Sequence, residues 1–557
     1  VPDWFGPRPQ QLEPFPLAAL RELLPLGAVP EQDDIAVTGV THDSRQVRPG
    51  DLYVALPGEV THGARFLDDA VQAGAAAVLT DDAGASLAGL RREIGGGWLG
   101  VVPVIVVDHP RAWLGEVSSA IYAHPSKELL TLGVTGTNGK TTTAYLLAAG
   151  LRQAGIRTGL IGTVETRIGD EVVRSVRTTP EATDVHAILA VMRERGMRAC
   201  VMEVSSHALA YRRASAIRFD VAGFTNLSQD HLDFHADLEE YFATKARLFT
   251  SRHAKRAVIC VNDEYGRRLA ERAEIPSVTV ATVVGAGPAD WAVERRDDER
   301  AEWAAERGTS GAGRGGSEES SATDVVESNA SPAAGVLTAA DGRSVPLRVP
   351  LPGDFNVSNA ALAVAMLTEV GVDLEDAADG VAACTGVPGR MERVWPEPDA
   401  PDAPMALVDY AHTPDAVQNV LRALRRDRPD GGRLIAVIGA GGDRDRDKRP
   451  AMGAAAAATA DVVVITDDNP RSEDPAAIRA AVLAGTEDVR DSERADVVEV
   501  AGRRDAISAA LRLAQGDADT VIVLGKGHEQ GQEIAGTVEP FDDREVLREE
   551  LRGWRAM

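Results

Sequence analysis

The sequence predicts an α/β protein of three domains, and three observations carry that reading. At 557 residues the chain holds several domains of ordinary size, and an apolar content of 44% is enough for several packed cores. Short, near-continuous apolar runs alternate with Ala-rich helical stretches, the pattern of parallel sheets covered on both faces. One Gly-rich turn, Gly136-Thr-Asn-Gly-Lys-Thr-Thr, stands between a β-favouring run and a helix-like one.

Taken in order, residues 1–30 are Pro-rich, and Leu17 to Leu26 reads as a short amphipathic helix. From Ile35, β-like runs (Asp51 to Leu56, Ala76 to Thr80, Val104 to Val107) alternate with helical ones such as Phe66 to Ala75. This predicts a small α/β domain over residues 1–128. A second domain, 129–385, starts at the Gly-rich turn and continues through the apolar runs Arg198 to Val204, Val221 to Asn226 and Ala257 to Asn262, a mostly parallel sheet. Residues 294–331 interrupt it with a charge run and then Gly, Ser, Ala and Glu. Such a segment buries too little apolar surface to offset its ordering entropy and is expected to be a disordered surface insertion. A third domain, 386–557, has probable-strand composition at Met405 to Asp409, Leu434 to Ile438, Val462 to Thr466 and Thr520 to Leu524, and reads as a doubly wound, Rossmann-like sheet.

Composition excludes several functions. A net charge of −26 speaks against a nucleic-acid groove, although local sites can still take anionic ligands. The cysteines Cys200, Cys260 and Cys384 have neither disulfide-framework nor zinc spacing. No apolar run reaches the ~18 residues of a membrane span, and no signal pattern opens the chain, so a cytoplasmic protein is expected.

The chemistry centres on the glycine turn. Gly136 and Gly139 let the backbone approach a ligand, so that the N–H groups of Thr137, Asn138 and their neighbours can cradle phosphates. Lys140 adds a compact positive charge near β- and γ-phosphates, and the Thr141 or Thr142 hydroxyl can ligate Mg²⁺. The standard P-loop spacing would place glycine at 134, whereas this chain has Val134 and Gly133, a variant loop. Glu203, Asp230 and His231 follow apolar runs, at strand ends where ligands collect in α/β sheets. Each alone is more often a satisfied polar residue. Downstream of a Gly-Lys-Thr loop, Glu203 and His231 become candidate Mg²⁺ ligands beside a triphosphate.

Five motifs in order, Gly136-Thr-Asn-Gly-Lys-Thr-Thr, Glu203-Val-Ser-Ser-His, Thr225-Asn-Leu-Ser-Gln-Asp-His-Leu-Asp-Phe-His, Gly386-Val-Pro-Gly-Arg-Met-Glu and Asp409-Tyr-Ala-His-Thr-Pro-Asp, closely resemble those of the Mur ligases of peptidoglycan synthesis. The resemblance runs from about Thr41 to Glu539 and is interrupted mainly at 294–331. It implies an N-terminal uridine-binding domain, a central ATPase and a C-terminal ligase domain that binds an amino acid. Within the family the chain is similar to the ligases that extend UDP-N-acetylmuramoyl-L-alanyl-D-glutamate by the third stem-peptide residue. ATP would phosphorylate the D-Glu γ-carboxylate, and an amine would then displace phosphate. Catalysis of this kind is mostly charge neutralisation and positioning.

The resemblance also assigns residues. Asn226 and Asn359 correspond to nucleotide contacts, and Arg390, Asp409 and His412 would close over ATP from the third domain. Lys245, in Tyr241-Phe-Ala-Thr-Lys, is similar to the family's carbamylated lysine, whose carbamate would be an oxygen ligand for Mg²⁺; elsewhere such a residue would be a surface lysine. With Lys140 and His231 it makes up the expected catalytic set. Ser44, Arg45 and, more weakly, His62 match the uridine-binding turn, while Thr178, Thr179, Ser205 and Arg213 match contacts to the muramoyl-peptide. Asp468-Asn469-Pro470-Arg471 resembles the motif of enzymes that take diaminopimelate rather than lysine, because a guanidinium can grip the second carboxylate bidentately. Arg444, Gly525 and Glu529 would complete that grip. A monomer is expected. Three rival readings are a folylpolyglutamate-synthase-like ligase, a dinucleotide oxidoreductase, whose fingerprint would need glycine where Arg444 stands, and a P-loop regulator that binds nucleotide without ligase chemistry.

Overall fold

The computed structural model describes residues 6–554 except 26–27, 30–33, 88–96, 100–101, 176, 284, 295–333, 396–401 and 430. Almost all of the expected insertion at 294–331 therefore lies outside the described residues; Glu294 itself ends the strand Trp291–Glu294.

Three sheets organise the chain. In the first, Gly39–Thr41, Asp51–Val54, Ala77–Thr80 and Val102–Val106 pair in parallel, with Gly97–Leu99 antiparallel at the edge. The stretch expected as an amphipathic helix at Leu17 to Leu26 is a 3-10 helix, Leu17–Glu22. Pro16 precedes it and Pro25 follows, which leaves no room for a longer α-helix.

The central sheet has eleven strands. From Thr158–Ile161 through Ala199–Glu203, Leu130–Thr135, Phe219–Phe224, Ala254–Cys260 and Ser277–Ala281 to Trp291–Glu294 it is parallel. Antiparallel strands add to both ends: Glu165–Ile168 with Glu171–Arg174, and Ala334–Ala339 with Ser344–Arg348. The sequence reading missed these additions. Helices Lys140–Gln153 and Asp354–Glu369 bury Leu146, Leu147, Leu362 and Met366 on one face, against Leu132 and Val134. Helix Ala182–Glu194 covers the other face with Val185, Ile188 and Met192. Its remaining small residues, Ala182, Ala187 and Ala190, pack into the first domain's core with Leu114, Val117 and Ile121.

The third sheet orders Glu392–Val394, Met405–Asp409, Thr520–Leu524, Leu434–Ile438, Val462–Ile465 and Asp496–Glu499, all parallel except the first. The four strands expected from apolar runs are present; the short edge strands Glu392–Val394 and Asp496–Glu499 carry too few apolar residues to announce themselves. The carboxyl ends of the central and third sheets face each other across a cleft.

Candidate active site

The strand Leu130–Thr135 ends directly in the glycine turn, and the helix starts at Lys140. Gly136 has φ 145° and Gly139 φ 88°, in the region that favours glycine. A Cβ on Gly136 would lie 1.9 Å from Thr225 Oγ1, and one on Gly139 2.3 Å from Asn359 Oδ1. The turn is thus packed behind and bare in front, the form of a phosphate cradle. Asn226 supports it from the next strand: its Oδ1 accepts from Asn138 N at 2.9 Å and its Nδ2 donates to Asn138 O at 3.0 Å. Asn226 therefore shapes the loop with the amide that was expected to meet nucleotide. Lys140 Nζ donates to Gly136 O at 3.0 Å and Thr137 O at 2.9 Å. Burial pushes Lys140 below the ordinary lysine range, against the pull of Glu203 and Asp230.

Glu203 ends the neighbouring strand, buried beside the loop. Its Oε2 accepts from Thr141 Oγ1 and from Thr163 Oγ1, both at 2.9 Å, and its Oε1 accepts from Thr163 N at 2.7 Å. Among the described residues no three His, Cys, Asp or Glu side chains converge as a ready-made metal cage. Mg²⁺ keeps several waters and is commonly bound through one or two carboxylates together with substrate phosphates. The Thr141 hydroxyl and Glu203 carboxylate are the donors that fit it. His231, at φ 56°, lines the same cleft with its Nε2 3.4 Å from Asp230 Oδ2. Burial pushes His231 below the ordinary histidine range, against the pull of Asp230 and with help from His207, Lys245 and Lys140.

Lys245 is buried against the phosphate loop rather than lying on the surface. It is 1% exposed, with Nζ donating to Gly136 O at 2.8 Å and lying 4.5 Å from the centre of the Tyr241 ring. Burial, reinforced by Lys140, pushes it well below the ordinary lysine range.

The third domain closes the cleft. Arg390 Nη2 donates to Thr141 Oγ1 at 3.2 Å, and the guanidinium lies 4.3 Å from the centre of the Tyr410 ring. Asp409 accepts from the backbone N–H groups of Met391 (2.7 Å) and Ala411 (2.8 Å), so it shapes the wall that carries Arg390. His412 Nε2 and Lys448 Nζ stand 3.9 and 3.7 Å from the Asp230 carboxylate. Burial alone would push Asp230 up, but His231, His412 and Lys448 outweigh it and hold Asp230 below the ordinary carboxylate range. The resulting cavity, of about 210 Å³, runs from the phosphate loop to Phe355, Asn419 and Val420. Sequence reasoning missed those three, and Thr163, Tyr410 and Lys448 as well. Tyr410, inside the Asp409-Tyr-Ala-His motif, and Lys448, in Asp-Lys-Arg-Pro after the Gly-Gly-Asp-Arg motif, offered a signal.

The residues matched to the muramoyl-peptide divide. Thr163 Oγ1, whose hydrogen goes to Glu203, accepts from Thr178 Oγ1 at 3.1 Å, and Thr179 Oγ1 donates to Glu203 O at 2.8 Å and accepts from Ser205 N at 3.2 Å. This set is therefore linked directly to Glu203. Arg213 Nε donates to Glu181 Oε1 at 2.8 Å. On the first domain, Ser44 opens a 3-10 turn capped by Asp43, and Arg45 forms a two-point pair with Asp43 at 2.9 and 2.7 Å. His62 behaves as a cap: its Nδ1 accepts from Ala64 N at 3.0 Å and its Nε2 sits 3.0 Å from Asp81 Oδ1.

The residues matched to the amino acid come together. Three strand-end loops meet, so that a Cβ on Gly525 would lie 2.2 Å from Asp468 Oδ2 and one on Gly442 1.9 Å from Pro470 O. Arg471, at φ 54°, donates from Nη1 to Gly442 O at 2.6 Å. Asn469 Nδ2 donates to Glu529 Oε2 at 2.8 Å. Arg444 reaches the central domain, 3.8 Å from Asp233 Oδ2, and so carries this cluster to the phosphate-loop side of the cleft.

Known proteins share this arrangement. The chain matches the Mur ligase family catalytic domain over residues 36–122, the Mur ligase middle domain over 134–367 and the Mur ligase glutamate ligase domain over 389–527. It is 50% identical over 546 residues, 98% of both chains, to the UDP-N-acetylmuramoyl-L-alanyl-D-glutamate--2,6-diaminopimelate ligase of Streptomyces coelicolor. It is 43% identical over 560 residues, 99% of both chains, to the UDP-N-acetylmuramyl-tripeptide synthetase of Leifsonia xyli. A solved structure of a UDP-N-acetylmuramoyl-L-alanyl-D-glutamate--2,6-diaminopimelate ligase superposes with a TM-score of 0.61 at 29% identity, covering 98% of this chain and 100% of that one. With a phosphate loop in the middle domain, an arginine reaching it from the third, and full-length identity at this level, the chain belongs to the Mur ligase family.

Proposed function

We propose that this protein is an ATP-dependent amide ligase that joins diaminopimelate to the D-Glu γ-carboxylate of UDP-N-acetylmuramoyl-L-alanyl-D-glutamate through an acyl phosphate. The observation that carries the reading is Arg390 on Thr141 across the cleft, which sets cations from two domains around one phosphate loop. A carboxylate is a poor electrophile until one oxygen becomes a good leaving group, and ATP supplies that group. Lys140 and Arg390 would neutralise the charge on the transferring phosphoryl group from opposite sides. Thr141 and Glu203 would hold Mg²⁺, which supplies further charge neutralisation when bound. Lys245, buried and short of its proton, is suited to react with CO₂ and to present a carbamate to that ion. Thr178, Thr179, Ser205 and Arg213 would hold the muramoyl-peptide, with Ser44 and Arg45 at its uridine end. Phe355, Asn419 and Val420 offer a base-sized wall at the far end of the cleft.

Arg471 and Arg444 give the amino-acid loops a cationic face, the feature that separates diaminopimelate from lysine. The names of the Streptomyces coelicolor relative and of the solved ligase support that choice. Among the described residues no helix is long and apolar enough to cross a membrane. The proposed setting is cytoplasmic precursor synthesis by a monomer. The test is phosphate release from ATP by the purified chain. Release that needs both the UDP-muramoyl-dipeptide and diaminopimelate supports the reading; release that needs neither, or that is satisfied equally by lysine, overturns it.

A further inference from the structure

We propose that Lys526 is a positioning residue for the incoming amino acid: it never meets the substrate, but it aims Asn469 and Glu529 at it. The inference rests on the reading above that the Asp468–Arg471 and Gly525–Glu529 loops receive that amino acid.

Lys526 lies just past the strand Thr520–Leu524 and is 0% exposed. Its three ammonium hydrogens have three acceptors: Gly531 O at 2.6 Å, Asn469 Oδ1 at 3.1 Å and Glu529 Oε2 at 3.2 Å. The second partner is fixed in turn. An ammonium can only donate, so Asn469 must turn its oxygen toward Lys526, an orientation reinforced by Glu533 N donating to the same Oδ1 at 3.0 Å. The amide nitrogen is thereby sent to Glu529 Oε2. That one carboxylate oxygen is held by two donors, while Oε1 has no protein hydrogen bond among the described residues. Glu529 itself remains about one-third exposed, with its side chain at 32%. The arrangement therefore delivers a carboxylate with one oxygen locked and the other available to a substrate ammonium. Removing the buried cation would leave Asn469 Oδ1 held by Glu533 N alone and Glu529 with a single donor. The backbone contact to Gly531 would support the hairpin Gly531–Ile534/Thr537–Pro540, and a purely structural lysine would do no more than that.

The experiment is steady-state phosphate release by the full chain carrying Lys526→Met, alone and combined with Glu529→Gln. The expected result is a KM for diaminopimelate raised ~10–100-fold, the size of one lost charge-assisted contact, with the KM values for ATP and for the UDP-muramoyl-dipeptide nearly unchanged. In the Glu529→Gln background the same change should add little, because the group Lys526 acts through is gone. Equal rises for all three substrates, or full additivity, would reduce Lys526 to a structural pin and overturn the proposal. If Lys526→Met does not fold, Lys526→Arg keeps the charge but displaces the carboxylate with a larger, planar head. It should show the same diaminopimelate-only effect in weaker form, and an Arg variant with unaltered KM values sinks the idea. A Glu529→Gln enzyme with normal affinity for diaminopimelate would instead fault the assignment of the site.

Discussion

Lys245 Nζ donates to Gly136 O at 2.8 Å, so a helix amine rests against the first glycine of the phosphate loop, out of reach of solvent. A fixed ammonium there would repel a divalent cation, whereas a carbamate on the same stem would attract one. We expect Lys245→Ala to lower kcat by ~100-fold or more, in the range of other lost electrostatic contributions. Mass spectrometry in bicarbonate buffer should find a CO₂ adduct on the peptide containing Lys245. Wild-type turnover from the Ala variant would remove the residue from the mechanism.

Gly139 offers a cleaner steric test. Its φ of 88° costs an L-residue roughly 1–2 kcal/mol, and a methyl would press on Asn359 Oδ1 at 2.3 Å. Gly139→Ala should weaken ATP binding, measured by calorimetry, by ~5–30-fold, the equivalent of that strain. Affinity for the UDP-muramoyl-dipeptide should stay close to that of the native chain.

Selectivity should sit in two arginines. Arg471 is partly engaged by Gly442 O, and Arg444 is more exposed. Arg471→Ala is expected to cut the preference for diaminopimelate over lysine, as a ratio of kcat/KM values, by ~10–100-fold, and Arg444→Ala to cut it less. The ratio is the decisive quantity, since activity with lysine should not fall in parallel.

His186 predicts an acid sensitivity. Complete burial pushes it down to about 4 from an ordinary 6.5, although its Nε2 lies 3.0 Å from Ser215 O. Between those two values the unfolded chain binds a proton that the folded one refuses. Its stabilising contribution is therefore complete above about pH 6.5 and is lost as pH falls through about 4, at about 1.4 kcal/mol per pH unit. Denaturation midpoints recorded from pH 7 to pH 4 should decline less steeply for His186→Gln than for the native chain.

The sequence made the centre of each sheet legible and left its margins dark. Leu130–Thr135, Ala199–Glu203 and Thr520–Leu524 are buried on both faces and therefore read as unbroken apolar runs. Glu171–Arg174 and Glu392–Val394 are edge strands, set by pairing rather than by composition. The phosphate loop and its Glu203 partner were readable because loop chemistry is local. Lys448 on Asp230 and Arg444 on Asp233 join residues more than two hundred positions apart, and only the fold brings them together. His62, in the expected turn, also caps it, a role that the sequence did not announce.

The helix Ala182–Glu194 serves two cores at once, turning valine, isoleucine and methionine to the ATPase sheet and alanines to the N-terminal one. On the proposed reading, the seats for uridine and for triphosphate are thereby riveted to a common base. The C-terminal third meets that base across the cleft, through contacts such as Arg390 on Thr141. The nucleotide sugar and the fuel would thus sit on one shared foundation, with the amine presented to them from the opposite wall.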